Sequence, residues 1–371
     1  MFKNIKQRLL EEIDNKREIY FPSTDKNHEF LLRGAIDCSL NIINNSDATY
    51  HDVEHTCLVT ICGLDILAGK ATLEGDLSSS TWLHAIIALL FHDVGYVKDI
   101  LREDSLNFQT INSNGSSISM SENSTDASLA PHHINRGQMF VKQRSWDKDI
   151  DTNLLCYLIS HTEFPVKIHH NPYAKFSRGF EDIADIIGAA DLIGQLADPM
   201  YDIKIPRLYY EFAETGSAEK MGYKSPGDLR RGYPEFFLNF VKPHITNALK
   251  YLSITESGEK WISNLNYHVF SESHKVTVEY SSMNLLKEIN EVINNSESEY
   301  DIIISVLHKV SQFKDWPLAH AYEVRVDKEI KTLHSTGLWY ENLNGLNVDE
   351  FKNITKDFVF KPGEGLPGRV F

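Results

Sequence analysis

Between residue 1 and about residue 270, apolar positions recur every three or four residues, as in CLVTICGLDILAG, WLHAIIALLFHDVG, NLLCYLISH and FEDIADIIGAADLIGQLAD. Side chains at that spacing share one face of a helix, and alternating runs are nearly absent, so the spacing predicts an all-helical domain over residues 1–270. Residues 103–130 interrupt it; they are rich in Ser and Asn, poor in bulky apolar side chains, and read as a long loop. A second change comes near residue 270. MNLLKEINEVINNSESEYDIIISVLHKV has amphipathic helical periodicity, whereas AHAYEVRVD and STGLWYEN alternate. We therefore expect a linker helix over 271–297 and an α+β domain over 298–371, within a chain that is mostly α.

The length of 371 residues exceeds what one core organises, which agrees with two domains. No apolar run approaches the roughly 20 residues of a membrane helix, so no membrane partner is expected. The N-terminus, MFKNIKQRLLEEIDNKREIY, is broken by charges and lacks the apolar centre of a signal peptide, which predicts a cytoplasmic protein. A net charge of -15 argues against nucleic acid as a partner, because that affinity comes from Lys and Arg on phosphates. It leaves a small phosphorylated substrate open, since a bound cation reverses the local field. Cys38, Cys57, Cys62 and Cys156 show no CxxC spacing and read as buried, reduced thiols.

Candidate chemistry lies in the histidines and aspartates. His51 and His55, in YHDVEH, are four residues apart and would share a helix face. In LLFHDVGY an apolar helix runs into adjacent His92 and Asp93, and a carboxylate at the end of a buried face needs a partner or a metal. His133 follows in HHINRG and His161 in LISHTEFP. Asp191 lies among small and apolar residues within a helical run, where an uncompensated charge would destabilise.

In this order the residues resemble the HD superfamily of metal-dependent phosphohydrolases, whose motif runs H, then HD, then D. His55, His92-Asp93 and Asp191 take those places, and the resemblance covers residues 30–200. It implies an all-helical HD-type fold with His55, His92, Asp93 and Asp191 as metal ligands. YHDVEHTCLV is similar to a stretch of the cyclic-nucleotide phosphodiesterases, which implies His51 as general acid and His55 as ligand. His133 and His161 resemble further ligands of the binuclear HD group, which implies six ligands for two divalent ions, with Asp93 bridging them and serving in catalysis. The chain departs from those groups at Tyr96 and Thr162 and lacks a GYP motif. Iron, manganese, zinc and magnesium all suit such donors. Lys98, Arg136, Lys142 and Arg178 are candidate phosphate clamps, Lys98 and Arg136 foremost.

From about residue 298 the chain resembles the first part of a GAF domain, on Trp316-Pro317, His320, Thr336-Gly337-Leu338-Trp339-Tyr340 and Phe360-Lys361-Pro362-Gly363-Glu364-Gly365-Leu366-Pro367-Gly368-Arg369-Val370. That implies a sensor module, cut short at Phe371, and homodimer contacts through the linker helix and this region. The expected function is hydrolysis of a nucleotide phosphodiester or phosphomonoester by a metal-activated water. The alternatives are a regulatory nucleotide-binding HD protein with little turnover, and a di-iron HD-fold oxygenase.

Overall fold

Helix α1 (Phe2–Tyr20) leads into α2 (Lys26–Ile43), α3 (Val53–Glu74), α4 (Ser79–Phe91), α5 (His133–Gln143), α6 (Thr152–Ser160), α7 (Glu181–Leu196), α8 (Tyr201–Glu214), α9 (Ser217–Lys220), α10 (Pro226–Phe236) and α11 (Lys242–Leu252). The computed structural model describes residues 2–22, 26–75, 77–165, 180–296, 298–327, 330–343 and 347–370. The chain divides into two units, Met1–Ser273 and His274–Phe371, and α12 (Glu256–Asn295) runs through the boundary. The chain is mostly helical, as its spacing predicts. The linker helix expected from residue 271 instead begins at Glu256, inside the first unit.

The centre of the first unit is α3, against which α1, α4, α7 and α11 pack. With a mean hydropathy of 1.5 over 18 residues, it has the length and apolarity to cross a membrane by composition alone, but 83% of that window is buried inside the unit. Leu58, Val59, Ile61, Leu64, Ile66 and Leu67 all lie in the core, where burial of each stabilises by about 1.5–3 kcal/mol. Asp52 fixes where the helix starts. Its backbone is extended (φ -111°, ψ -178°) and its carboxylate accepts from the His55 amide at 2.9 Å, so helical backbone begins at Val53. His51 therefore precedes the helix rather than sharing its face with His55, which corrects the sequence expectation.

Two glycines let backbones meet beside the candidate site. A Cβ on Gly194 would lie 2.8 Å from Val59 Cα, so α7 and α3 cross in backbone contact one turn from Asp191 and His55. A Cβ on Gly95 would lie 1.8 Å from the His133 carbonyl oxygen, at the start of α5. Gly95→Ala is expected to destabilise by about 1–3 kcal/mol through overpacking and to push α5 outward. Chemical unfolding, with NMR of the His133 ring, checks this; an unchanged midpoint would refute the close approach.

The Ser- and Asn-rich stretch is not one loop. It folds into an antiparallel hairpin of β1 (Phe108–Thr110) and β2 (Ser117–Ser119), followed by a 3-10 segment, Asp126–His132. Asn112 accepts from the amides of Asn114 and Ser116 at 3.1 Å each, and Gly115 takes φ 80°, so the SNG phrase makes the turn.

The second unit holds the C-terminal part of α12, α13 (Glu299–Phe313), the strands β3 (Leu318–Asp327), β4 (Ile330–Glu341) and β5 (Val359–Phe360), α14 (Asp349–Lys356) and α15 (Gly365–Arg369). The sheet is antiparallel in the order β3-β4-β5. His320 pairs with Trp339 across β3 and β4, their rings stacked at 3.8 Å. Gly363 (φ 87°) and Gly365 (φ 61°) form the turn into α15.

Candidate metal centre

Four side chains from three places converge on one buried point. His55 comes from the first turn of α3, His92 caps the C-terminus of α4, Asp93 follows it, and Asp191 lies in α7. Nε2 of His55 is 3.3 Å from Asp93 Oδ2 and 3.5 Å from Asp191 Oδ1; Nε2 of His92 is 3.0 Å and 3.6 Å from the same two oxygens. Donors about 2.1 Å from one ion stand about 3.0 Å apart in an octahedron and about 3.4 Å apart in a tetrahedron. The observed spread of 3.0–3.6 Å fits a shared ion.

Hydrogen bonding points the same way. His55 Nε2, His92 Nε2 and Asp93 Oδ2 are buried and have no hydrogen-bond partner. Native proteins rarely leave such atoms unsatisfied, and an imidazole–imidazole–carboxylate set is a ligand set for a first-row divalent metal. His92 Nδ1 lies 2.7 Å from the Leu89 carbonyl, which fixes the proton on Nδ1 and leaves Nε2 with a lone pair, the arrangement that orients a ligating imidazole.

The local charges are strongly coupled. Burial alone would depress His55, but the adjoining carboxylates of Asp191 and Asp93 outweigh it and raise its pKa to about 9. His92 is raised well above its usual value by the same carboxylates, again against burial. For Asp93 and Asp191, burial is more than offset by the two imidazoles, and both are held below the usual carboxylate range. The cluster therefore attracts cationic charge, as protons or as a metal ion.

His51 stands at the edge of this cluster, since His51, His55 and Asp93 each bring one donor atom within 4.8 Å of the others. Its Nδ1 is 2.6 Å from Glu211 Oε2, while Glu211 Oε1 accepts from the Tyr50 amide at 2.6 Å. Because a carboxylate accepts, the bond places a proton on Nδ1. One face of the ring stacks on Tyr96, with centroids 4.3 Å apart and planes 16° apart. Burial tends to raise the Glu211 pKa, but the His51 ring and the amide bonds lower it, so Glu211 is an anion at neutral pH. Glu211 and Tyr96 are site residues that sequence reasoning did not assign. For Glu211 the available signal was a carboxylate in YYEFAE on a helix whose other face is apolar.

The remaining candidates lie elsewhere. The His133 ring also packs on Tyr96, with centroids 4.6 Å apart, and its Nδ1 is 2.5 Å from the Ala130 carbonyl. His161 lies at the end of α6 with Nδ1 3.0 Å from the Tyr157 carbonyl, and its own carbonyl packs on Gly188 of α7. Neither joins the ligand groups found among the described residues. Arg136 is not a phosphate clamp, which corrects the sequence expectation. It is fully buried; Nε donates to the Gly95 carbonyl at 2.9 Å, Nη1 to Asp104 Oδ1 at 3.1 Å and the Thr110 carbonyl at 2.6 Å, and Nη2 to Asp104 Oδ2 at 3.0 Å. It pins the hairpin to the turn after Asp93. Lys98 Nζ is engaged by Asp47 at 3.2 Å and Asp126 at 3.4 Å and serves the same junction. Lys142 is exposed near the end of α5, and Arg178 lies outside the described residues. Of the cysteines, Cys57, Cys62 and Cys156 are buried and free, whereas Cys38 is exposed.

No curated protein matches the chain. The Npun_R2479-like family matches residues 4–275, a span that contains all of these side chains and nearly coincides with the helical unit. With more than half of its length matched, the chain belongs to the Npun_R2479-like family.

Proposed function

We propose that the helical unit is a metal-dependent phosphohydrolase of HD type, acting on a nucleotide phosphodiester or phosphomonoester, and that the second unit is a GAF-like sensor. The observation that carries this reading is the convergence of the unsatisfied His55, His92 and Asp93 atoms with Asp191. Those four residues would hold one divalent ion. When bound, such an ion lowers the pKa of water at the centre and offsets the charge of the phosphoryl oxygens.

The protein's own groups do the rest. Glu211 fixes the His51 ring with its proton on Nδ1, and Tyr96 fixes its plane, so Nε2, 3.4 Å from the Tyr96 hydroxyl, is the nitrogen that exchanges a proton. A proton carried on Nε2 would pass to the departing oxygen, which makes His51 the general acid. Asp93 and Asp191 stay ionised throughout the neutral range and need no deprotonation before they act as ligands.

Two outcomes test the centre. Elemental analysis after purification without chelators should find one ion per helical unit; two per unit would bring His133 and His161 back as ligands, and none after reconstitution would sink the reading. Metal affinity should also rise with pH through the neutral range and up to at least about 9, because the ion must displace the protons that His55 and His92 hold. Calorimetry in two buffers of different ionisation enthalpy reads the released protons, and binding without proton release at pH 7 would contradict this electrostatic account.

A further inference from the structure

The helical unit has a second space that the metal centre does not use, an open pocket of about 380 Å3, within the range of small-molecule sites. Its wall is aromatic, built by Phe164, Tyr201, Phe212, Tyr223, Tyr233 and Phe236. The rings brace one another: Phe164 meets Phe236 edge-on at 5.6 Å, and Tyr201 meets Tyr233 at 5.0 Å. Polar side chains are few, chiefly Gln195 and Lys220, and no carboxylate lines the cavity among the described residues. Burial raises the phenols of Tyr201 and Tyr233 above their usual range, so both rings stay neutral.

The cavity shares its supports with the metal centre. Helix α7 gives Asp191 to the centre and, one turn on, Gln195 to the cavity. Helix α8 gives Glu211 to His51 and gives Leu208 and Phe212 to the cavity. Residues one turn apart on a helix face are about 5–6 Å apart at Cβ, so Asp191 and Gln195 stand close enough on α7 to meet two parts of one ligand. We infer that this cavity is the subsite for the organic part of the phosphoester, and that this part is a planar aromatic group of one or two fused rings. The aromatic walls favour stacked or edge-on rings. The lack of carboxylates and the single lysine leave the anionic end to the metal centre. The assignment to a phosphoester rests on the reading of that centre, whereas the affinity of the cavity for a ring does not.

The test separates the two. On the zinc- or manganese-loaded full chain, calorimetry should find 1-naphthylphosphonate bound at least ~30-fold more tightly than methylphosphonate, since ring burial contributes about 25 cal/mol per Å2. Phe212→Ala, which opens the wall, and Met221→Trp, which narrows the cavity, should each bring that ratio towards unity. On metal-free protein, 2-naphthol should still bind, and less tightly to Met221→Trp. Equal binding of the two phosphonates to the unaltered protein overturns the subsite. Failure of both phosphonates to bind while 2-naphthol binds overturns its link to phosphoester chemistry, and failure of 2-naphthol overturns the aromatic site itself.

Discussion

Replacing His92 or Asp93 by alanine is expected to remove the metal ion and to reduce phosphodiester hydrolysis by well over 100-fold, because even outer-shell partners of a metal site typically contribute about 10–100-fold. Both side chains are buried, and both lose a shared ligand position. His51→Ala should behave differently. It should keep the ion while kcat falls by about 100–10,000-fold, the usual contribution of a general acid. The fall should be smallest for esters with good leaving groups, such as bis(4-nitrophenyl) phosphate, which need little protonation. Elemental analysis of each variant beside its turnover decides the matter: equal metal loss in all three would make His51 a ligand.

The second large effect concerns stability. Arg136→Met should destabilise the helical unit by about 3–5 kcal/mol, because it leaves the Asp104 carboxylate, itself 1% exposed, as an unpaired buried charge. For a unit of this size, that lowers Tm by roughly 6–20 °C. Adding Asp104→Asn should recover part of the loss, since a neutral amide costs less to bury. Scanning calorimetry of the single and double variants checks it. A single variant as stable as the parent would show that the guanidinium only fills space.

Much of this architecture was legible in the sequence because helices announce themselves locally. The apolar spacing in CLVTICGLDILAG, WLHAIIALLFHDVG and FEDIADIIGAADLIGQLAD marks α3, α4 and α7, and the His, His-Asp and Asp positions in or beside them are visible as polar groups in apolar surroundings. Less legible was anything decided by distant partners. The hairpin at 108–119 owes its order to Arg136, more than 16 residues away in the chain, and propensity could not anticipate that. Glu211 pairs with His51 across 160 residues, and nothing local in YYEFAE separates it from a solvated glutamate. Spacing alone places Asp52 inside a helix, because it does not separate a capping residue from a first-turn residue. Arg136 misleads for the opposite reason: a basic residue beside candidate ligands suggests a substrate contact, whereas its donors are taken up by Gly95, Val97, Asp104 and Thr110.

The joint around Gly95 also constrains how such a chain can change over generations. The Gly95 carbonyl receives Arg136, its bare Cα admits the start of α5, and Arg136 in turn occupies Asp104. A side chain acquired at position 95 would displace the helix that carries residue 136, and loss of the arginine would strand the aspartate. Each such single change is therefore expected to weaken the helical unit, and a change at a second of these positions can offset part of the loss. The effects of substitutions at positions 95, 104 and 136 are therefore expected to be non-additive.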